Sequence, residues 1–250
     1  MKIIIYYIHN MTHVVDDITR QNLRHNTRLA FVTVAHNAIT GLTDTYKKNL
    51  ELYKTNPNVL FILINYNGAD TASIDAFVET LLEYENKNFY YFKHKDLNNS
   101  VVESEGLNAA FKLAIQKSAD YIFNLDANNK LVGDEYNQVL SVPTNTEIIC
   151  FTNDTITLLD VVRTTYDFRC YKYNNYKSCQ MQKINKFAIK SCAFLRLNGF
   201  NEAVIDNNLC VLELLIRANE RAYQINLYKD TDVKNVNVEA NEFYLTKQNM

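Results

Sequence analysis

The chain has 250 residues, 47% of them hydrophobic, with 26 Lys and Arg against 28 Asp and Glu. It can bury a full core and is neither a disordered tail nor a strongly basic nucleic-acid binder. Five cysteines, odd in number and without a Cys-x-x-Cys pair, point to reduced thiols in a cytoplasmic setting rather than a disulfide framework.

Residues 1–27 read as an N-terminal extension. Residues 1–8 are apolar but too short to span a bilayer, so they are expected to form a strand, with no transmembrane segment or signal peptide. One helix with a solvated polar face follows over VVDDITRQNLRHN. A repeating unit then begins at Leu29, where AFVTVAHN is a strand, and Thr43 is placed to cap a helix through Tyr46, Leu50 and Tyr53. VLFILINYN is a nearly continuous apolar run, as expected of a parallel strand covered on both faces. It ends in Asn65-Tyr66-Asn67-Gly68-Ala69-Asp70, and Ile74, Phe77, Val78, Leu81 and Leu82 form the apolar stripe of the next helix. NFYYFKHK is a third strand, and Ser104 is placed to cap a third helix whose Leu107, Ala110, Phe111, Ala114 and Ile115 share one face.

A fourth strand, YIFNL, leaves the sheet at Asp126-Ala127-Asn128-Asn129. Four strand–helix alternations predict an α/β protein with a doubly wound, mostly parallel sheet flanked by helices. In such sheets ligands bind at the carboxyl edge. The Asp126 turn reads either as a ligand site or as a turn that satisfies its own backbone, as Asp and Asn do in many proteins.

From residue 129 to 190 the pattern loosens. EIICFTND reads as a strand, and so does FRCYKYNNYKS. In the latter, Tyr171, Tyr173 and Tyr176 with Lys172 and Lys177 are either exposed strand tyrosines, the commoner case, or a stacking strip for sugars or nucleic acid. Residues 186–230 regain order in KFAIKSCAFLRLNGFNEAV, an amphipathic helix around 209–218, and a strand at YQINLY. Cys210 reads as a buried structural thiol rather than a nucleophile.

Four blocks in this order resemble the GT-A-fold glycosyltransferases, particularly the large family 2 of nucleotide-sugar-dependent enzymes. They are FVTVAHN, FILINYNGAD, GLNAAFKLAIQKSADYIFNLDANN and CAFLRLNGFNEA, and the resemblance covers roughly residues 29–230. It implies a GT-A domain over 28–250, with a nucleotide-binding half at 28–129 and an acceptor-side half at 130–250. A sugar nucleotide presents a base, a ribose and a diphosphate. The resemblance assigns Asn37, Asn65, Asn67 and Asp70 to the nucleoside, Asn108 to the donor and Asp126 to the ribose. Gly68 and Gly106 allow tight turns beside them. Where the family has Asp-x-Asp this chain has Asp126-Ala127-Asn128, so a divalent Mn or Mg ion would be held by Asp126 and Asn128 with one negative charge fewer. All five histidines precede Lys95, so the late His that the family often recruits is absent.

Anchored on Arg217, the family's Glu-Asp pair falls on Cys210-Val211. The carboxylate that must take the acceptor's proton is then sought among Asp206, Glu202 and Glu213, and Asp206 suits best because it precedes the helix. The resemblance therefore implies a hexosyltransferase-like enzyme that moves a sugar, UDP-linked, to a hydroxyl acceptor with inversion. The acceptor would be a glycan, a lipid-linked molecule or a protein. Two alternatives are a degenerate GT-A domain that binds sugar nucleotide or glycan without turnover, and a viral-type transferase acting on modified DNA bases. The slightly acidic charge balance argues against the last.

Overall fold

The computed structural model describes residues 26–66, 68–81, 84, 88–94, 103–152, 178–182, 186–204, 210–229 and 235–239. The strand and helix expected over residues 1–25, the tyrosine–lysine strip at 171–177, Asn67 and Asp206 lie outside the described residues.

Seven strands form one sheet in the order β3-β2-β1-β4-β7-β5-β8. Its first half is β1 (Leu29–Ala35), β2 (Val59–Tyr66), β3 (Phe89–His94) and β4 (Tyr121–Asn124), all mutually parallel. Their crossovers are α1 (Ile39–Tyr53), α2 (Thr71–Glu79) and α3 (Glu103–Gln116). All eight residues of β2 are buried, as its apolar run predicts for a strand covered on both faces. The second half is mixed. After α4 (Glu135–Ser141), β5 (Ile148–Thr152) pairs parallel to β8 (Ile225–Lys229), and β7 (Phe187–Lys190) is inserted antiparallel between β4 and β5. Helices α5 (Ser191–Arg196) and α6 (Cys210–Glu220) follow β7. β6 (Ser178–Gln182) and β9 (Asn235–Glu239) make a separate antiparallel pair.

The alternation of strand side chains divides the core into two layers. Ala30, Val32, Leu60, Ile62 and Ile122 pack under α3, α5 and α6. Phe31, Phe61 and Phe123 face α1, α2 and α4, with ring centroids 5.1 Å and 5.0 Å from Phe31. Losing such a core aromatic costs about 3–5 kcal/mol.

Two expected caps differ. α1 starts at Ile39, so Thr43 lies inside it and its hydroxyl donates to the Thr40 carbonyl instead. The cap comes from another element: Asp70 Oδ2 accepts the Ile39 amide at 2.8 Å. α3 starts at Glu103, which puts Ser104 within the helix, buried, with its Oγ donating to the Val204 carbonyl.

Candidate functional site

β1, β2 and β4 end side by side, with Ala35 in register with Asn65 and Val32 with Asn124. The chain therefore leaves the sheet at three adjacent points on one edge, and most of the residues singled out by sequence stand there.

At the β1 exit, His36 Nδ1 lies 3.0 Å from the Tyr66 carbonyl and His36 Nε2 lies 3.0 Å from Asn37 Nδ2. A carbonyl can only accept, so the proton sits on Nδ1 and Nε2 accepts from the amide. Asn37 itself takes a left-handed φ of 50°, which Asn tolerates better than most residues. Its Oδ1 accepts the Ala69 amide at 2.8 Å, which folds the β1 exit over the β2 turn. Asp70 completes this corner. One of its oxygens caps α1, where a carboxylate also meets the positive end of the helix dipole. The other, Oδ1, is enclosed and has no hydrogen-bond partner among the described residues. Gly68 keeps the corner open, since a Cβ there would stand 2.5 Å from Asp70 Oδ1 and 2.9 Å from the Asn37 nitrogen.

Asn65 stands at the same edge but turns inward. It is buried, and its amide donates to Tyr91 Oη at 2.9 Å and to the Thr71 carbonyl at 3.3 Å. Tyr91 in turn donates to Asp75, which also receives Lys93 at 2.7 Å. Hydrogen bonds from Lys93 and then Tyr91 hold the Asp75 carboxyl below the usual carboxylate range.

At the β4 exit, Asp126 Oδ1 accepts the Asn128 backbone amide at 2.9 Å and its side-chain amide at 3.1 Å, forming an Asx turn. The Asn128 oxygen rests over Gly41 of α1, where a Cβ would be 2.3 Å away. Sequence reasoning missed the two polar residues that strap this turn to α1. Thr45 Oγ1 donates to the Ala127 carbonyl at 2.7 Å, and buried Asn49 donates to the Asn129 carbonyl and accepts the Leu131 amide, each at 2.9 Å. Their signal was a polar pair one turn apart beside the Tyr46–Leu50–Tyr53 stripe.

One carboxylate and one amide oxygen are what this exit offers a cation. Among the described residues no group of three His, Cys, Asp or Glu side chains could hold a metal. Hard divalent ions take oxygen ligands and share them with phosphates. The donor set thus fits an ion bridged to a ligand's diphosphate, not one caged by the protein.

The remaining candidates form a second group in the α3–α6 layer. A groove of about 660 Å³ is lined there by Asn108, Lys112, Glu202, Glu213, Arg217 and Arg221, among others. Asn108 Nδ2 donates to Glu202 Oε1 at 2.7 Å. Glu213 gives both oxygens to Arg217, at 2.5 and 2.7 Å. Cys210 and Val211 are 1% and 7% exposed and pack in the core of this layer, so no carboxylate stands at their positions.

No protein-family model matches the sequence, and no curated protein matches it. Solved structures do match in three dimensions. A mannosyltransferase from Pyrobaculum calidifontis, solved with GDP-Man and Mn²⁺, is 12% identical with a TM-score of 0.55, over 82% of this chain and 56% of its own. S. aureus TarS 1-349 in complex with UDP is 11% identical with a TM-score of 0.55, over 88% of this chain and 63% of its own. Glucosyl-3-phosphoglycerate synthase from Mycobacterium tuberculosis, with UDP, is 10% identical with a TM-score of 0.54, over 84% and 72%. This chain spans less than two thirds of the length of the first two. At these identities the likeness shows the fold, which is the GT-A fold of nucleotide-sugar glycosyltransferases.

Proposed function

We propose that the protein transfers a sugar from a nucleotide diphosphate sugar, UDP-linked, to a hydroxyl acceptor with inversion, within one GT-A domain over residues 28–250. The observation that carries this reading is the corner of Asn37, Gly68 and Asp70. A carboxylate oxygen is enclosed there without a partner among the described residues, under a residue that has no side chain, at the carboxyl edge of a doubly wound sheet. A base N–H is the kind of donor that would satisfy it. Asp126, at the next strand end, would take the ribose. A divalent ion, where bound, would be held by Asp126 and the Asn128 oxygen and would neutralise the leaving diphosphate.

In an inverting transfer the acceptor oxygen attacks the anomeric carbon, a carboxylate takes its proton, and the nucleoside diphosphate leaves with the bonding electrons. Glu213 is engaged through both oxygens, whereas Glu202 gives Asn108 only Oε1. Of the described carboxylates Glu202 is therefore assigned the proton; Asp206, preferred on sequence grounds, lies outside the described residues and is its competitor. The groove beside Glu202 would seat the acceptor, a hydroxyl of a glycan, a lipid-linked molecule or a protein. A modified DNA base is the least favoured acceptor, given the net charge of −2. Among the described residues Cys150, Cys192 and Cys210 form no disulfide, and a cytoplasmic setting is proposed from the odd number of cysteines and the lack of a Cys-x-x-Cys pair. No helix among the described residues is long and apolar enough to cross a membrane.

A second reading, binding without turnover, is favoured by one observation: the helix positions where the family carries Glu-Asp are filled by buried Cys210 and Val211. Calorimetry with UDP, GDP and their sugars, followed by donor hydrolysis with and without Mn²⁺, separates the two. Heat with UDP and turnover are expected. No heat with any of these ligands rejects nucleotide binding altogether, and heat without hydrolysis or transfer establishes the second reading.

A further inference from the structure

We propose that Asn108, backed by the Glu213–Arg217 pair, is a positioning device that holds Glu202 toward the acceptor groove and is not a ligand of the donor. The inference rests on the reading of Glu202 as the group that takes the acceptor's proton.

Asn108 is 5% exposed on α3. Its Oδ1 accepts the Phe200 amide at 2.8 Å, and its Nδ2 donates to the Phe200 carbonyl at 2.9 Å and to Glu202 Oε1 at 2.7 Å. A side-chain amide has two N–H donors, and both are spent. A donor sugar could take an N–H from this amide only by displacing Glu202 or the Phe200 carbonyl. Gly199 makes that close approach possible. It adopts φ 70°, and a Cβ there would stand 2.5 Å from Asn108 Oδ1.

The same turn is gripped from the other side. Arg217 donates to the Leu197 carbonyl and, at 2.7 Å, to the Gly199 carbonyl, while Glu213 fixes the guanidinium from one turn earlier on α6. The Phe200 ring is wedged between Phe111 and Phe194, with centroids at 5.2 and 5.5 Å. Residues 197–202 are thereby fixed in backbone, and the hydrogen bond from Asn108 selects one placement of the Glu202 carboxylate. Glu202 shares its groove with Lys112, Glu213, Arg217 and Arg221. A base is effective only when held in reach of the proton it takes, and a misplacement of about 1 Å can cost about 10²-fold in rate.

The test is a double-mutant cycle on the full chain with Asn108→Ala, Glu202→Gln and both together. Asn108→Ala is expected to lower kcat by about 10²-fold and to leave the calorimetric Kd for UDP within about twofold. It should cost nothing more in the Glu202→Gln background. Additive losses in the cycle, or a tenfold weaker UDP affinity at unchanged kcat, would overturn the proposal. Should the alanine variant not fold, Asn108→Asp keeps the oxygen that accepts the Phe200 amide while removing the donor to Glu202, and the same kcat loss is expected.

Hydrogen exchange of the Asn108 side-chain amide, followed by NMR, needs no turnover. Slow exchange that accelerates in Glu202→Ala is expected, and solvent-like exchange in the unmutated protein would overturn the clamp. A chain that transfers no sugar yet protects this amide would sink the functional reading and leave the clamp standing. Full turnover by Glu202→Gln would sink Glu202 as the base and the positioning role with it.

Discussion

Replacing Gly68 with alanine tests the corner on which the functional reading depends. The added methyl would stand 2.5 Å from Asp70 Oδ1 and 2.9 Å from the Asn37 nitrogen. Non-bonded atoms rest about 3.5–4.0 Å apart, so the carboxylate would have to retreat by about 1 Å. It is not free to do so. Its other oxygen accepts the Ile39 amide at 2.8 Å, and Asn37 on the far side is already at φ 50°. Either the α1 cap gives way, at about 1 kcal/mol, or the methyl stays and fills the space over Asp70 Oδ1.

A hydrogen bond to a charged group contributes about 1.5–3 kcal/mol net. At 1.4 kcal/mol per factor of ten, losing it weakens UDP binding by roughly 10- to 100-fold. The melting temperature should fall by only about 2–4 °C, the effect of about 1 kcal/mol in a chain of this size. Calorimetry with UDP on a variant shown by its melt to be folded is the assay, with Asp70→Asn as a companion that alters charge but not shape. A folded Gly68→Ala protein that binds UDP with unchanged affinity would refute the assignment of this corner to the base.

Other expectations follow from the same geometry. Chelation should reduce activity without abolishing it, because Asp126 supplies the one carboxylate of the β4 turn; complete loss with full rescue by Mn²⁺ would mean that a further ligand, such as Asp230 or Asp232 outside the described residues, completes the site. Glu202→Gln should lower turnover by about 10²–10⁴-fold with donor affinity kept, and Glu213→Gln should lower it less; collapse in Asp206→Asn alone would move the base to Asp206, and three active variants would remove all of these carboxylates from the proton transfer. Asp75→Asn should lower the melting temperature at neutral pH. The Asp75 carboxyl is held below its ordinary range by Lys93 and Tyr91, so its stabilisation is present above the unfolded value of about 3.9 and is lost as pH falls through the lower folded value. The gap between the two melts should close on acidification below about pH 4, and a gap independent of pH would contradict the assignment.

The parallel half of the sheet was legible because each crossover changes the hydrophobic period from strand to helix and back. β7 was not, since FAIK is four residues long and nothing local encodes its direction. Helix starts misled for a related reason: Thr43 looked like the nearest cap in sequence, while the actual cap on Ile39 is Asp70, 31 residues away. Within the site, the Asp126 turn could be read because it directly ends a buried strand. Asn37 and Asn65 looked equivalent, yet they diverge in the structure. Strand phase carried that information: Asn65 is in phase with Phe61 and Leu63, whose side chains face α1 and α2, so its amide enters that layer and meets Tyr91. Asn49 escaped notice because a polar residue beside an amphipathic stripe reads as solvated. Its partners, the backbone at Asn129 and Leu131, become neighbours only once α1 lies against the β4 exit.

Cys210 and Val211, where the resemblance would put a carboxylate pair, have a structural counterpart elsewhere in the same layer. With both positions buried in this core layer, the start of α6 contributes packing, and a charge there would require costly desolvation. On the proposed reading, the carboxylate serving the acceptor is Glu202, on a turn rather than on a helix. Turns hold side chains less firmly than helices do, so a base placed on one needs support from outside it. The 197–202 turn has such support at both ends: an α3 amide at Phe200 and Glu202, and an α6 guanidinium at Leu197 and Gly199. Glu213, read from sequence as a possible base, spends both oxygens on that guanidinium. Its work in this arrangement is to keep Arg217 on the turn, and through the turn to keep Glu202 in the groove.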